Sequence, residues 1–281
     1  MTIPKIIHQI WIGDKPMPIN AMNTVKNMNP DFVYMFWCEK TIEDNLKIHP
    51  RYQRKIEEHT AIWGKADMYR YLILEQYGGI YVDADMVCIE PFDDFLLNKA
   101  FSCFENEVLR PNLINTCFMG YPKNHIVPQT AIQWIMDNNV NIEKTKTESW
   151  ILVAGGLLSR VYYELIPDKS VMDILPSYLS QPDHHTGTKY KGHGKVYTVH
   201  EWGSTKNNYN QINNVKIPTH HQQPKVWIDI EIPNDINEKS LKEIMKGIKN
   251  MEGHFGINIK SEKDIKKYLN STRFIKNMII L

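Results

Sequence analysis

The sequence predicts an α/β domain with a mostly parallel sheet covered by helices on both faces. Three observations carry this. Short apolar runs rich in β-branched residues alternate with longer segments of helix-forming residues. Glycine, proline and asparagine fall between the runs and punctuate them. A chain of 281 residues that is 42% hydrophobic and 11% aromatic can also bury a core of that size.

Residues 3–12 form the first apolar run, bounded by Pro4 and by Gly13-Asp14, and read as a buried strand. A helix follows Pro18 and stops at Asn29-Pro30, because the residue before a proline avoids the helical region. Residues 32–38 read as the second strand. Residues 41–59 are charged and helical, interrupted at Pro50. Ile62–Tyr77 is the best helix in the chain, with Gly78-Gly79 as its stop. Residues 80–82 then form a strand that runs into acidic residues. Further strands are expected at 100–104, 113–119 and 196–200, and helices at 126–138 and 157–165. In sheets of this kind ligands bind outside the carboxyl ends of the strands.

Composition narrows the function. Thirty-three basic against thirty-two acidic residues leave a net charge of +1, which argues against a dedicated nucleic-acid binder. No run approaches the roughly 18 apolar residues of a membrane span, and the Met1-Thr2-Ile3-Pro4-Lys5 start has no signal-peptide pattern. Cys38, Cys88, Cys103 and Cys117 form no CxxC pair and read as reduced core thiols, so a cytoplasmic setting is expected. The charge is unevenly spread: residues 236–281 hold ten basic against five acidic residues. A boundary is therefore placed between a domain at 1–232 and a basic helical appendage at 233–281. Helices are expected at 237–251 and 261–280, the second a basic amphipathic element that could lie on an anionic membrane or pack on the domain.

The informative segment runs from Asp67 to Asp85. Asp67 and Arg70 stand three apart on a helix and share a face. On spacing alone they are an exposed ion pair worth a few tenths of a kcal/mol. Asp83 and Asp85 lie two apart on an extended segment and so point the same way. Two like charges at a strand's carboxyl end need a cation or donors to answer them. Hard oxygen ligands of this kind suit Mg²⁺ or Mn²⁺ bridging to substrate phosphates.

With the opening Ile3-Pro4-Lys5-Ile6-Ile7-His8-Gln9-Ile10-Trp11-Ile12-Gly13, and the spacing through Asn29-Pro30, Phe36-Trp37 and Ala66-Asp67, this segment resembles glycosyltransferase family 32. More distantly it resembles the catalytic domains of clostridial glucosylating toxins. The likeness is strong from residue 3 to 91 and weak to about residue 202. It implies a GT-A fold and metal-dependent transfer from a UDP- or GDP-sugar, with retention of anomeric configuration, to a glycan, lipid or protein acceptor. It also implies that Trp11 holds the nucleotide base, that Asp67 and Arg70 grip the donor sugar, that Asp83 meets ribose and sugar, and that Asp85 holds the metal. His200 in His200-Glu201-Trp202-Gly203-Ser204 is the implied third metal ligand, although here Trp202 precedes Ser204, the reverse of the family order. Asn115 and Gly155-Gly156 match pocket-lining positions, the glycines equally a helix entrance. His184-His185 and His220-His221 read as solvated loop residues.

Two rival readings stand beside this one. Val82-Asp83-Ala84-Asp85-Met86-Val87 also resembles the opening motif of haloacid-dehalogenase-type phosphatases, in which the first Asp is the nucleophile. That motif belongs near the start of a domain, whereas this one lies more than eighty residues in. A non-catalytic nucleotide-sugar-binding module would not need two crowded carboxylates.

Overall fold

The computed structural model describes residues 2–189 and 194–212. The expected tail helices, His220-His221 and the 232/233 boundary lie outside them. Among the described residues no helix is long and apolar enough to cross a membrane.

The chain begins with β1 (Ile6–Ile10), α1 (Ile19–Met28) and β2 (Val33–Trp37). Then come α2 (Glu39–Asn45), α3 (Pro50–Glu58), α4 (Ile62–Tyr77), β3 (Gly79–Val82) and β4 (Met86–Cys88). The second half supplies β5 (Phe101–Asn106), β6 (Arg110–Tyr121), α5 (Ile126–Asp137), α6 (Ile142–Thr145), α7 (Ser149–Val153) and α8 (Gly155–Arg160). It closes with β7 (Asp173–Leu175), β8 (Thr198–His200), α9 (Gly203–Lys206) and α10 (Tyr209–Ile212).

The main sheet has the order β2-β1-β3-β6-β5-β7. β1 is parallel to both β2 and β3, and β7 is parallel to β5, while β6 runs antiparallel to β3 and β5. The sheet is therefore mostly parallel and flanked by helices, a GT-A-like α/β fold. A second sheet pairs β4 with β8 antiparallel, with His200 opposite Met86. That register carries His200 to the residue next to Asp85.

Several boundaries differ from expectation for local reasons. β1 starts at Ile6 rather than Ile3, because the Ile3 amide bonds Leu97 O and Pro4 has no N–H to give to the sheet. Asp83 and Asp85 do not continue the strand. The Met86 amide bonds Asp83 O at 3.1 Å and closes a turn directly after β3. α4 runs over the residues expected and is buried nearly all round, from Gly64 and Asp67 to Leu74. The main core lies between sheet and helices, with Phe118 centred 5.3 Å from Phe92 and 5.4 Å from Phe101.

Candidate functional site

β2, β1 and β3 stand in the order 2-1-3 with β1 parallel to both, so the strand order reverses at β1. A crevice opens at such a switch point, beyond the strands' carboxyl ends. Here it is a cleft of about 290 Å³, and Trp11, Asp67, Arg70, Asp83, Asp85 and His200 all line it. These six residues, singled out in the sequence as site residues, thus line one cleft, whereas Gly156 does not line it.

Two constellations share Asp83. In the first, Arg70 is held by Asp67 at 2.5 Å, by Asp83 at 3.2 Å and by the carbonyl of Thr116 at 2.6 Å. Its guanidinium lies 4.6 Å from the centre of the Tyr81 ring. Asp67 and Arg70 are only 7% and 5% exposed, so the expectation of an exposed surface pair is corrected. α4 is sandwiched against the sheet, and its polar face meets the cleft floor rather than solvent. Burial pushes the Asp67 carboxyl up to about 7, with Arg70 opposing and Asp83 adding to the rise. Burial works against the Arg70 charge too, but Asp67 and Asp83 outweigh it and keep the guanidinium charged. Arg70 Nε is buried without a partner, as is Asn115 Oδ1 nearby in the cleft wall.

The second constellation joins Asp83, Asp85 and His200, whose ligand atoms lie within 4.8 Å of one another. Asp85 Oδ1 stands 3.2 Å from His200 Nε2, and its Oδ2 accepts the Gly203 amide at 2.7 Å. Burial would raise the Asp85 carboxyl, but His200 and the Gly203 N–H together hold it below the usual range. His200 moves the other way: burial lowers it and Asp85 more than restores it. Two carboxylates and one imidazole in a partly enclosed site are a donor set that fits Mn²⁺ or Mg²⁺.

The backbone of this acidic turn is fixed from three sides. Gln9 on β1 donates from Nε2 to Asp83 O at 3.1 Å and accepts from the Tyr34 hydroxyl at 2.8 Å. The Asp83 amide bonds Cys117 O on β6, and the Glu201 amide bonds Asp85 O. Neighbouring His8 bonds Gly78 O at 2.7 Å and accepts from Trp37 Nε1 at 3.1 Å. The His8-Gln9 pair in the opening motif is thus explained by support of the two turns that frame β3.

At one end of the cleft Trp11 meets the edge of Tyr209, ring centres 5.0 Å apart, and Lys15 Nζ lies 5.5 Å from the Tyr209 ring centre. Trp202 stacks on His200 at 4.2 Å with 22° between ring planes, and it lines the cleft together with Ser204 despite their reversed order. Gly155 also lines the cleft, and a Cβ there would stand 2.7 Å from Ile114 O, so it serves equally as a tight helix entrance. The solvated reading of His184 is corrected. His184 is 4% exposed, bonds Glu105 Oε1 at 3.1 Å and packs on His185 at 4.1 Å. Thr116, Gln181, Glu105 and Tyr209 carried no signal in the sequence, and Gln9 stood in the opening motif without an assigned role. Each is an ordinary residue type whose role comes from a partner at least 46 positions away.

The segment from Asp67 to Asp85 falls within a region similar to known proteins. Residues 18–102 match the model of the glycosyltransferase sugar-binding region containing a DXD motif. The chain is 36% identical over 132 residues to uncharacterized glycosyltransferase L373 of Acanthamoeba polyphaga mimivirus, covering 44% of this chain and 52% of that one. It is 30% identical over 127 residues to inositol phosphoceramide mannosyltransferase 3 of Schizosaccharomyces pombe, covering 44% and 34%. It is 31% identical over 106 residues to the initiation-specific alpha-1,6-mannosyltransferase of Candida albicans, covering 34% and 28%. The matches thus span about half the length of these relatives or less. A solved structure, PaToxG glycosyltransferase, aligns with a TM-score of 0.48 at 20% identity, over 59% of this chain and 71% of that one. Residues 18–102 thus resemble a glycosyltransferase sugar-binding region containing a DXD motif, and Asp83-Ala84-Asp85 is the Asp-x-Asp triplet within them.

Proposed function

We propose that the protein is a metal-dependent, retaining glycosyltransferase that moves a hexose from a UDP- or GDP-sugar to a glycan, lipid-linked or protein acceptor. One observation carries the reading: Asp83 belongs at once to a carboxylate–guanidinium cluster and to a cation-competent triad, in a single cleft. A sugar diphosphate needs both, the first for its hydroxyls and the second for its phosphates. Relatives named as mannosyltransferases favour mannose as the transferred sugar.

On this reading Asp83, Asp85 and His200 hold Mn²⁺ or Mg²⁺. An ion held there would supply positive charge against the leaving diphosphate. Asp67 and Arg70 orient sugar hydroxyls through charge-assisted hydrogen bonds from a rigid helix. The carboxylates of this cluster, not Arg70, answer the positive character that develops on the sugar in an oxocarbenium-like transition state. Trp11 and Tyr209 offer aromatic surface for the base, with Lys15 beside them. The four unpaired cysteines fit a reducing, cytoplasmic setting.

A donor screen with Mn²⁺ tests this. Turnover of a UDP- or GDP-sugar is expected, with loss of at least about 100-fold in Asp85→Asn, which removes a carboxylate charge without changing volume. Full activity in EDTA overturns the metal. Turnover of phosphate monoesters instead would establish the phosphatase, and binding without turnover the non-catalytic module.

A further inference from the structure

Gln181 is 1% exposed, lines the cleft beside His200, and bonds residues of β5, β6 and β8. Its Nε2 donates to Glu105 O at 2.7 Å. Its Oε1 lies 3.1 Å from Cys117 Sγ and 3.3 Å from His200 Nδ1. These contacts fix the amide. A backbone carbonyl only accepts, so the Gln181 NH₂ must face Glu105 and its carbonyl oxygen must face the imidazole. That oxygen also only accepts. Nδ1 of His200 must therefore carry a proton, and in the neutral ring the lone pair falls on Nε2.

Nε2 is the nitrogen aimed at Asp85 Oδ1, 3.2 Å away. A lone pair facing a carboxylate at that distance is repulsive unless a proton or a cation lies between them. The stack of Trp202 on the imidazole holds the ring plane, so the ring does not rotate away from this conflict.

We infer that Gln181 is a positioning residue that locks His200 in the tautomer and orientation whose Nε2 serves as a cation ligand beside Asp83 and Asp85. This rests on the reading of those three residues as a metal site. Hydrogen-bond partners that orient a ligating histidine commonly alter metal affinity by about 10–100-fold when removed. Gln181 supplies that support from the loop after the short turn Ser177–Leu179, outside the Asp83, Asp85 and His200 set.

Two measurements on the full chain separate this inference from the metal reading. In the metal-free protein in EDTA, at a pH where His200 is neutral, long-range ¹H–¹⁵N correlation reports which ring nitrogen is protonated; the peak is assigned by its loss in His200→Asn. The Nδ1–H form is expected, and an Nε2–H form overturns the inference whether or not metal ever binds. Mn²⁺ titration by calorimetry is the second. Gln181→Leu, similar in size but without donor or acceptor, should bind Mn²⁺ about 10–100-fold more weakly. Gln181→Glu, which still accepts from Nδ1–H, should recover most of that loss and provides the comparison if the leucine variant does not fold. Mn²⁺ affinity in Gln181→Leu within twofold of wild type, or in Gln181→Glu no better than in a folded Gln181→Leu, overturns the inference. If wild type binds no Mn²⁺, the metal reading fails while the tautomer result still decides the role of Gln181.

Discussion

At Arg70 a guanidinium is taken out of water and surrounded by Asp67, Asp83, the Thr116 carbonyl and the face of Tyr81. The same two residue types at the same spacing on an exposed helix would contribute a few tenths of a kcal/mol. Burial changes the magnitude, because removing one partner leaves the others charged and unanswered. Arg70→Ala is expected to cost about 3–5 kcal/mol of stability, in addition to its effect on turnover. Arg70→Lys should fare little better, since one ammonium cannot reach two carboxylates and a carbonyl in the plane a guanidinium spans. Urea unfolding checks this. A loss under about 1 kcal/mol would return the pair to the exposed class.

At the scale of elements, His8 joins three of them. From β1 it donates to the carbonyl of Gly78, in the turn between α4 and β3, and accepts from Trp37 on β2. The turn leaves no room for other side chains. Gly79 has φ of +107°, and a Cβ there would stand 2.7 Å from Ile6 O and 2.9 Å from His8 Nε2. Burial lowers the His8 pKa from 6.5 to about 4, although the Gly78 bond opposes it. The sign follows directly. Between those values the unfolded chain binds a proton that the folded chain refuses, so stability rises with pH across the window and is lost as pH falls through it. From pH 7 to pH 5 this one group should remove about 2 kcal/mol. Other groups add their own slopes, so the comparison is with His8→Gln. That variant should be less stable at pH 7, and its deficit should shrink by about that amount at pH 5. A deficit that stays constant with pH would show that His8 titrates normally.

For the whole molecule, the β2-β1-β3 order places the cleft. The β4–β8 ribbon then brings the second half of the chain back to it, across more than a hundred residues between Asp85 and His200. Every residue assigned to the site lies within one compact unit, Met1–Pro224. A truncation to residues 1–232, at the proposed domain boundary, should therefore unfold cooperatively and bind Mn²⁺ within about threefold of the full chain, roughly 0.6 kcal/mol. Calorimetric melting and Mn²⁺ titration measure both. An aggregated truncation, or one with metal affinity lost, would move the boundary or make the appendage part of the site.

Short-range chemistry made much of this legible in the sequence. The Gly78-Gly79 stop, the span of α4, the alternation that predicts an α/β sheet, and the crowding of Asp83 with Asp85 each depend on residues within a turn or two of one another. The pairing of Asp67 with Arg70 was legible too, because helical periodicity sets it. Its burial was not, since that depends on which face α4 turns to the sheet, and nearly every face is covered. Nor could periodicity show that Asp83 and Asp85 converge through a turn instead of along a strand. The roles of Gln9, Gln181 and His184 were equally out of reach, because an amide or imidazole acquires its role only from partners that lie 74, 19 and 79 positions away. The sequence by itself determined the elements and the chemical types at the site. Tertiary structure decided their burial, their charge states and which of them face one another, because desolvation and directional hydrogen bonds are properties of neighbours in space.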